Sequence, residues 1–345
     1  MSDENETHDS SRRALFRAAG AAAVAGVPLV AGNRAVAQDA GAGPEGHPGG
    51  AGPLKDPREM YVHSPFQAQP QPWPGLASKM IPRPDHGETS YRGSGRLTGR
   101  KALITGGDSG LGRATAIAYA REGADVAINY LPAEESDARE VGELVQQAGR
   151  KFVALPGDIR HESFCKKLVK QAADKLGGLD IFVNCAGRQH AYDDVLELTT
   201  EDFDWTLKTN LYALFWLTKA AIPLMPPGST MIFTSSTNAY NPSPNILDYS
   251  MTKAGIADYA KGLAKQLIPR GIRVNAVAPG PFWTALQVSG GQSMANVEKF
   301  GDSVPLGRPG QPAEIAPVYV MLASTESSYM TGQVVGINAG NGLPG

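Results

Sequence analysis

Apolar runs of strand length alternate with longer amphipathic segments from Arg100 to the end of the chain. The apolar runs lack in–out alternation, which is typical of strands that helices cover on both faces. Such alternation of strands and helices produces parallel sheets with right-handed crossovers. We therefore predict an α/β fold, with a doubly wound, parallel, seven-stranded sheet in a single domain spanning 98–345. The predicted strands lie near 101–105, 125–129, 151–155, 179–184, 229–235, 271–278 and 333–337, and the helices near 110–122, 133–148, 161–176, 203–225, 248–269 and 311–323.

The residues that precede this domain have a different composition. Ten prolines and many glycines lie within 38–98. Proline removes a backbone donor and breaks helices, so we predict that 38–97 is an extended, Pro/Gly-rich arm. The arm is either a flexible linker or a segment laid over the domain, and large apolar residues such as Phe66, Trp73 and Met80 favour packing.

The first 37 residues carry the features of an export signal in the expected order. Arg12 and Arg13 precede a weakly apolar stretch at 18–32, and Ala35-Val36-Ala37 gives an A-x-A cleavage pattern. The arginine pair resembles a twin-arginine signal, whose pathway carries folded proteins. We therefore expect the twin-arginine export machinery as a partner, Gln38 as the first mature residue, and a periplasmic or other extracytoplasmic location. The alternative is a disordered tail on a cytoplasmic protein.

Composition and charge narrow the possible classes of function. Apolar residues make up 42% of the 345 residues, which is enough for a substantial core. The net charge of −2 lacks the basic excess that nucleic-acid binding requires. Two cysteines and six scattered histidines form no metal-ligand pattern, and no apolar run reaches the ~20 residues of a membrane-spanning helix. We expect a globular protein with no metal, no nucleic-acid partner and no stable membrane insertion.

A glycine-rich turn joins the first predicted strand to the first predicted helix. It runs Thr105-Gly106-Gly107-Asp108-Ser109-Gly110-Leu111-Gly112. Glycine lets the backbone turn sharply and lets a pyrophosphate approach the amides, while the helix N-terminus presents unpaired N–H groups. An isolated loop of this kind is also compatible with an ordinary tight turn. The strand before it and the helix after it favour a dinucleotide site.

Tyr249 and Lys253 lie four residues apart at the start of a predicted helix and therefore share one helix face. A phenol has a reference pKa of about 10, and a nearby ammonium favours the phenolate. The pair predicts an acid–base tyrosine whose pKa Lys253 lowers toward the working range. Tyr–Lys pairs with this spacing are common on surface helices, so the pair indicates catalysis only together with the surrounding motifs.

Taken together, several ordered motifs resemble those of the short-chain dehydrogenase/reductases, over about 98–345. Cys185 departs from the pattern, because the family usually has a second asparagine there. The motifs are Thr105-Gly106-x-x-x-Gly110-x-Gly112, Asp158 after the third strand, Asn184-Cys185-Ala186-Gly187, Asn210, Ser235-Ser236, Tyr249-x-x-x-Lys253 and Pro279-Gly280.

The resemblance implies a Rossmann-type fold and hydride transfer between a nicotinamide dinucleotide and a small carbonyl or alcohol substrate. It implies that Tyr249 is the general acid–base and that Ser236 binds the same substrate oxygen. Lys253 would bind the nicotinamide ribose, and Asn210 would hold a water of the proton relay. The cofactor-binding residues would be Gly106, Asp108, Ser109, Gly110, Leu111, Gly112, Asn129, Tyr130, Asp158, Ile159, Asn184, Ala186, Gly187, Tyr249, Lys253, Pro279, Gly280, Phe282 and Thr284. Substrate contacts, besides Ser236 and Tyr249, are expected from Gln189, Tyr240 and Trp283.

A narrower likeness concerns the subgroup and the cofactor. Pro84–Glu88, Gly93–Leu97 and Pro279–Thr284 resemble the bacterial aldehyde-reductase, or glucose/ribitol-dehydrogenase-like, subgroup. An acid at the end of the second strand would bind the adenosine ribose and repel a 2′-phosphate, but that strand ends in the uncharged Asn129-Tyr130. We therefore favour NADP(H) over NAD(H). Arg113, just past the glycines, either approaches the phosphate or is an ordinary solvated helix residue.

Three other functions stay open: a non-catalytic dinucleotide-binding protein, an NAD-dependent sugar or polyol dehydrogenase, and a sugar-nucleotide epimerase or dehydratase. The epimerases and dehydratases space their glycines as Gly-x-x-Gly-x-x-Gly, whereas position 109 here is serine.

The run 211–217 is apolar all round, which predicts a helix buried on every side. The family usually forms homotetramers through this helix and the Tyr249 helix, so we expect a tetramer.

Overall fold

The computed structural model describes residues 54–342. The predicted signal peptide at 1–37, and residues 38–53 of the predicted arm, lie outside the described residues.

Seven parallel strands form one sheet in the order β3-β2-β1-β4-β5-β6-β7. Its strand order reverses between β1 and β4, and such a switch point opens a crevice at the carboxyl ends of the strands. The predicted α/β fold class, with its doubly wound Rossmann-type sheet, is confirmed. The strands are β1 Lys101–Thr105, β2 Asp125–Tyr130, β3 Phe152–Pro156, β4 Ile181–Asn184, β5 Thr230–Thr234, β6 Arg273–Pro279 and β7 Val334–Ile337.

The helices follow the predicted order, with two differences, one of which is that the short helix Met294–Glu298 was not predicted. The segment predicted as one helix at 203–225 forms two helices, because a π-helical turn at Lys208–Tyr212 interrupts it. The helices are α1 Gly110–Arg121, α2 Glu135–Gln147, α3 Glu162–Leu176, α4 Thr200–Leu207, α5 Ala213–Ala221, α6 Leu247–Leu267, α7 Met294–Glu298 and α8 Pro312–Ala323.

Two apolar layers cover the two faces of the sheet. Alternate residues of β1 point to opposite layers: Leu103 packs with α3, α5 and α6, whereas Ile104 packs with α1, α2 and α8. Each fully buried side chain of this size contributes roughly 1.5–3 kcal/mol. Burial on both faces explains why the strands show no polar alternation, and it fixes the carboxyl ends of the strands in one rigid row.

The described part of the arm, residues 55–97, packs on the body. Phe66 stacks on Trp283 with 4.2 Å between ring centroids, and Trp283 Nε1 donates to the Pro82 carbonyl at 2.8 Å. Nearer the body, the buried carboxylate of Glu122 accepts from Ser94 N at 2.9 Å and from Arg96 Nη2 at 2.7 Å. The expectation of packing is therefore confirmed for these residues, and the linker alternative is wrong for them.

Within one chain the run 211–217 is only partly buried, and its predicted burial in a subunit interface stays a prediction. Tyr212 and Phe215 are 49% and 47% exposed, and Met251 on α6 is 46% exposed. Part of the apolar surface of this run therefore faces outward. Within residues 54–342, no helix has the length and apolarity needed to cross a membrane.

Candidate active site

A cavity of about 290 Å³ lies at the carboxyl ends of the strands, where the strand order reverses. Most of the residues predicted to bind cofactor or substrate line it. They are Gly106, Asp108, Ser109, Gly110, Leu111, Gly112, Asn129, Tyr130, Asp158, Ile159, Ala186, Gly187, Ser236, Tyr249, Lys253, Pro279, Gly280, Phe282 and Thr284.

The glycine turn is packed so closely that side chains have no room at two positions. Gly106 has a φ of +63°, and a Cβ there would lie 2.9 Å from Ala186 Cα. A Cβ on Gly112 would overlap with the Gly106 carbonyl oxygen. The glycines therefore let β1 turn directly into α1 and leave the backbone open to the cavity.

The beginning of α1 has the chemistry that a pyrophosphate requires. Ser109 precedes the helix without making a side-chain capping hydrogen bond, so the first-turn amides keep their donors for a ligand. Beside it, Asp108 is buried, and its Oδ2 finds no partner among residues 54–342. Burial raises the pKa of Asp108 to about 7. A dinucleotide with hydroxyl donors beside its phosphates fits these amides and this carboxyl group.

Tyr249, Ser236 and Lys253 meet on one wall of the cavity. Tyr249 and Lys253 lie one turn apart on α6, and Ser236 follows β5. Lys253 Nζ lies 5.3 Å from the centre of the Tyr249 ring and donates to the Thr234 carbonyl at 2.7 Å. Ser236 Oγ accepts from Asn238 N at 3.1 Å, which fixes its position beside the phenol. The cluster brings together an acid–base group, a hydroxyl and a cation.

Burial controls the protonation of this cluster. It raises the pKa of Tyr249 to about 12, although the Ser236 hydroxyl acts in the opposite direction. It lowers the pKa of Lys253 to about 8. Burial of the phenol gives the Tyr249 pKa its upward direction, and Lys253 is not among the groups that shift it in this structure.

Asn210 lies in the π-helical turn between α4 and α5 and has no exposed surface. Its Oδ1 accepts from Arg188 N at 2.7 Å, and its Nδ2 donates to Thr252 Oγ1 at 2.9 Å. The side chain thus ties the turn to α6 and does not line the cavity. A water held by Asn210 would have to use the backbone carbonyl, which a π-turn displaces from the regular helical pattern.

The far end of the cavity, beyond β2 and β3, carries charged groups. Asp158 and Arg160 form an ion pair of 2.6 Å, and the hydrogen bonds from Arg160 outweigh burial and lower the pKa of Asp158. Glu134 also lines this end. Burial, followed by the negative charge of Asp108, raises the pKa of Glu134 to about 9. Arg113 does not line the cavity, because ion pairs with Glu88 and Glu140 hold it underneath.

Four residues predicted to contact ligands do not line this cavity. Trp283 is a clear correction, because it is fully buried and faces Phe66 of the arm rather than the cavity. Gln189 is buried and donates to the Gly291 carbonyl. Asn184 accepts from Thr105 Oγ1 at 2.9 Å inside the sheet. Tyr240 is only half-buried, beside the cavity rather than on its wall.

Several residues that line the cavity were not predicted from the sequence. Three belong to the arm, namely Trp73, Pro74 and Gly75. Four others, Ala285, Leu286, Gln287 and Ser289, follow Thr284. A composition rich in proline indicates that the arm is extended but does not indicate where it crosses the body. Only the presence of a tryptophan among the prolines hinted at a contact.

Comparison with known proteins identifies the family that has this arrangement of residues. Residues 106–341 match the family model described as enoyl-(acyl carrier protein) reductase. The chain is 57% identical over 290 residues to the uncharacterized oxidoreductase YghA of Escherichia coli (strain K12), covering 84% of this chain and 99% of that one. The chain belongs to the short-chain dehydrogenase/reductase family. As a member, it is an NAD(P)-dependent oxidoreductase.

Two further members of the short-chain family extend the comparison. The glucose and ribitol dehydrogenase of Daucus carota is 41% identical over 272 residues, covering 77% of this chain and 93% of its own. A solved short-chain dehydrogenase from Burkholderia cenocepacia J2315, in complex with NADP, matches with a TM-score of 0.66 and 32% identity. That match covers 71% of this chain and 98% of the solved one.

Proposed function

We propose that this protein transfers a hydride between NADP(H) and a small aldehyde, sugar or polyol, with Tyr249 as the acid–base group. The observation that carries the proposal is that Tyr249, Ser236 and Lys253 share one wall of a cavity whose base is the glycine turn. The dinucleotide, when bound, supplies or accepts the hydride, and the protein supplies position and a proton.

In the direction of reduction, Tyr249 donates its hydroxyl proton to the carbonyl oxygen of the substrate. Its raised pKa keeps it protonated at neutral pH, so the proton is present when it is needed. Ser236 Oγ–H donates to the same oxygen, which holds the carbonyl in place. Lys253 keeps a positive charge beside the ring and stabilises the phenolate that forms. In oxidation the same groups act in reverse, and Tyr249 has to lose its proton before it can act as the base, which the positive charge of Lys253 favours.

The choice between the two cofactors depends on the end of the cavity beyond β2. The uncharged end of β2 and the raised pKa of Glu134, which leaves its carboxyl neutral at pH 7, support NADP(H). One observation favours NAD(H) as a second candidate. Arg113 is held away from the cavity, and the cations that line it among the described residues are Arg160, already paired with Asp158, and Lys253.

The class of substrate rests on the resemblance to aldehyde reductases and on the relative named glucose and ribitol dehydrogenase. The cavity lining includes the Ser236 hydroxyl, Gln287 and Ser289, which suits a substrate with several hydroxyl groups. We further propose export by the twin-arginine pathway and assembly into homotetramers. Three exposed apolar residues support a contact with a second copy: Tyr212 at the end of the π-helical turn, Phe215 on α5 and Met251 on α6.

A screen of the purified protein tests the proposal directly. Aldehydes, aldoses and polyols would be assayed with NADPH and NADH for reduction and with NADP⁺ and NAD⁺ for oxidation. Turnover of at least one class, lost in Tyr249→Phe, is expected. Binding of dinucleotide without turnover of any class would instead support the non-catalytic alternative. The size of the purified protein in solution, measured by light scattering, tests the tetramer.

A further inference from the structure

Residues 71–76 of the arm form a loop that its own hydrogen bonds close. Gln71 Nε2 donates to the Leu76 carbonyl at 3.2 Å, and Leu76 N donates to Gln71 Oε1 at 2.8 Å. Between them, Trp73, Pro74 and Gly75 line the active-site cavity. This wall lies outside residues 106–341, which match the family model. The body of the family fold therefore does not complete the cavity alone.

One end of the loop is fixed to the segment that follows Thr284. Gln71 N donates to the Val288 carbonyl at 2.9 Å. A Cβ on Gly75 would lie 2.9 Å from the Ala285 carbonyl oxygen, so the two backbones touch. Thr284 itself packs over the glycine turn, since a Cβ on Gly110 would lie 3.2 Å from Thr284 Cγ2. This anchor is therefore on the side of the cavity that holds Pro279, Gly280 and Thr284.

The other end is fixed to α2, on the opposite side of the glycine turn. Ala77 N and Ser78 N donate to Asp137 Oδ2 at 2.7 and 3.3 Å. Asp137 has no exposed surface and lies one turn after Glu134, which lines the cavity beyond β2. Residues 71–78, which we call the strap, thus run from one side of the cavity to the other, with Trp73, Pro74 and Gly75 between the two anchors.

We propose that the strap crosses over the bound dinucleotide and that Trp73 is a cofactor-contacting residue that slows its release. The inference rests on the proposed dinucleotide site at the glycine turn. A ligand on the first-turn amides of α1 would lie beneath the strap, between the Val288 and Asp137 anchors. Trp73 would exclude water from its phosphates, and in a drier site their hydrogen bonds are stronger. Release would then require the strap to move, so the effect falls on the dissociation rate.

The test measures cofactor release without any turnover. The full chain is loaded with NADPH or NADH and mixed rapidly with an excess of the oxidised form, and the loss of reduced-nicotinamide fluorescence gives the dissociation rate. Trp73→Ala is expected to raise that rate at least tenfold, and Trp73→Phe, which keeps a ring, to raise it less. Tyr61→Ala is the matched control. Tyr61 is another half-buried aromatic of the arm, bonded to Asp85 at 2.9 Å and absent from the cavity wall.

Each outcome decides between distinct conclusions. A dissociation rate within twofold of wild type in Trp73→Ala, with dinucleotide still bound, overturns the strap and leaves the proposed function intact. A raised KM for the carbonyl substrate with an unchanged release rate also overturns the strap and leaves the proposed function intact, since Trp73 would then contact only the substrate. A wild-type protein that binds no dinucleotide overturns the proposed function itself. If Trp73→Ala fails to fold, hydrogen exchange on wild type decides: amides of 71–78 must become protected when NADPH binds, and unchanged exchange overturns the proposal.

Discussion

The ammonium of Lys253 lies 5.3 Å from the centre of the Tyr249 ring and is held there by a 2.7 Å hydrogen bond to the Thr234 carbonyl. The cation is thus fixed by the end of β5 rather than by the phenol. Because it does not depend on Tyr249 for its position, each of the two side chains can be changed without displacing the other.

Tyr249→Phe tests the acid–base group. The ring stays in its site, but the proton donor is lost, so turnover should fall by roughly 10²–10⁴-fold. Dinucleotide affinity, measured by reduced-nicotinamide fluorescence, should stay within twofold. Tyr259→Phe is the matched control, because Tyr259 lies on the same helix, packs against the core and does not line the cavity. Near-wild-type turnover in Tyr249→Phe would contradict the mechanism.

The rate of reduction should depend on pH through Lys253. Its lowered pKa of about 8 means that it is charged below that pH and loses its charge above it. Without the cation, the phenolate that forms on proton transfer is less stable. With the dinucleotide saturating, we therefore expect kcat/KM for reduction to decline as pH rises through 8. A profile that is unchanged in Lys253→Met would show that another group titrates.

Much of the fold could be predicted from the sequence, since β1 begins and ends at the predicted residues and the other strands end within a residue or two. Helix and strand periodicity depend on local spacing, which the sequence displays. The break at Lys208–Tyr212 could not be predicted, because apolar spacing continues through the π-turn. Its cause is tertiary: Asn210 bonds to Arg188 and Thr252, which are distant in sequence.

The site was predictable where a motif fixes both residue type and position, as for the glycine turn and the Tyr249–Lys253 pair. The site was not predictable where a loop side chain can point either into the cavity or away from it. Trp283 follows β6 at the edge that holds the cavity, but its indole turns toward Phe66 and the Pro82 carbonyl. The apolar partner of that indole is more than 200 residues away, and no local pattern indicates it.

Glu134→Gln tests the cofactor phosphate. The pKa of about 9 makes Glu134 neutral near pH 7 and charged above pH 9, where it would repel a 2′-phosphate. In wild type, the affinity for NADPH relative to NADH should therefore fall by up to about tenfold between pH 7 and 10. Glu134→Gln should remove that dependence. Glu143→Gln, at an exposed position of α2 that does not line the cavity, should keep it.

Glu122→Gln tests how the arm is held. Burial opposes ionisation of Glu122, but hydrogen bonds from Arg96 and Tyr91 lower its pKa to about 2, against an ordinary 4.5. Its contribution is complete above pH 4.5 and is lost as pH falls toward 2. The variant should lose roughly 1–3 kcal/mol of stability at pH 7, seen as a lower Tm, and less at pH 3.

Arg96 also approaches a second carboxylate, which provides the control for Glu122. Glu326 lies 3.6 Å from Arg96, and its side chain is 54% exposed. Glu326→Gln should change the Tm very little, because exposed ion pairs contribute about 0–1 kcal/mol. Equal losses in the two variants would show that the buried position of Glu122 gives it no special part in holding the arm.

Replacement of Arg12 and Arg13 by lysine tests the export signal. The paired guanidinium groups are the recognised feature of such signals, so the variant should remain in the cytoplasm while the wild type is exported. Cell fractionation, with the protein detected at its C-terminus, measures the difference. Equal distribution of the two forms between cytoplasm and exported fraction would show that the arginine pair is not an export signal.

The contact between Phe66 and Trp283 has a practical consequence for anyone who shortens this protein. A cut at residue 98 would leave a chain that contains every motif of the family, yet it would uncover an indole that is now fully buried. Met80 and Phe66 would leave with the arm, while Val288 and Phe300 would stay behind on the surface. Exposed apolar patches of this kind promote self-association. Such a fragment should aggregate during purification, even though its sequence looks complete.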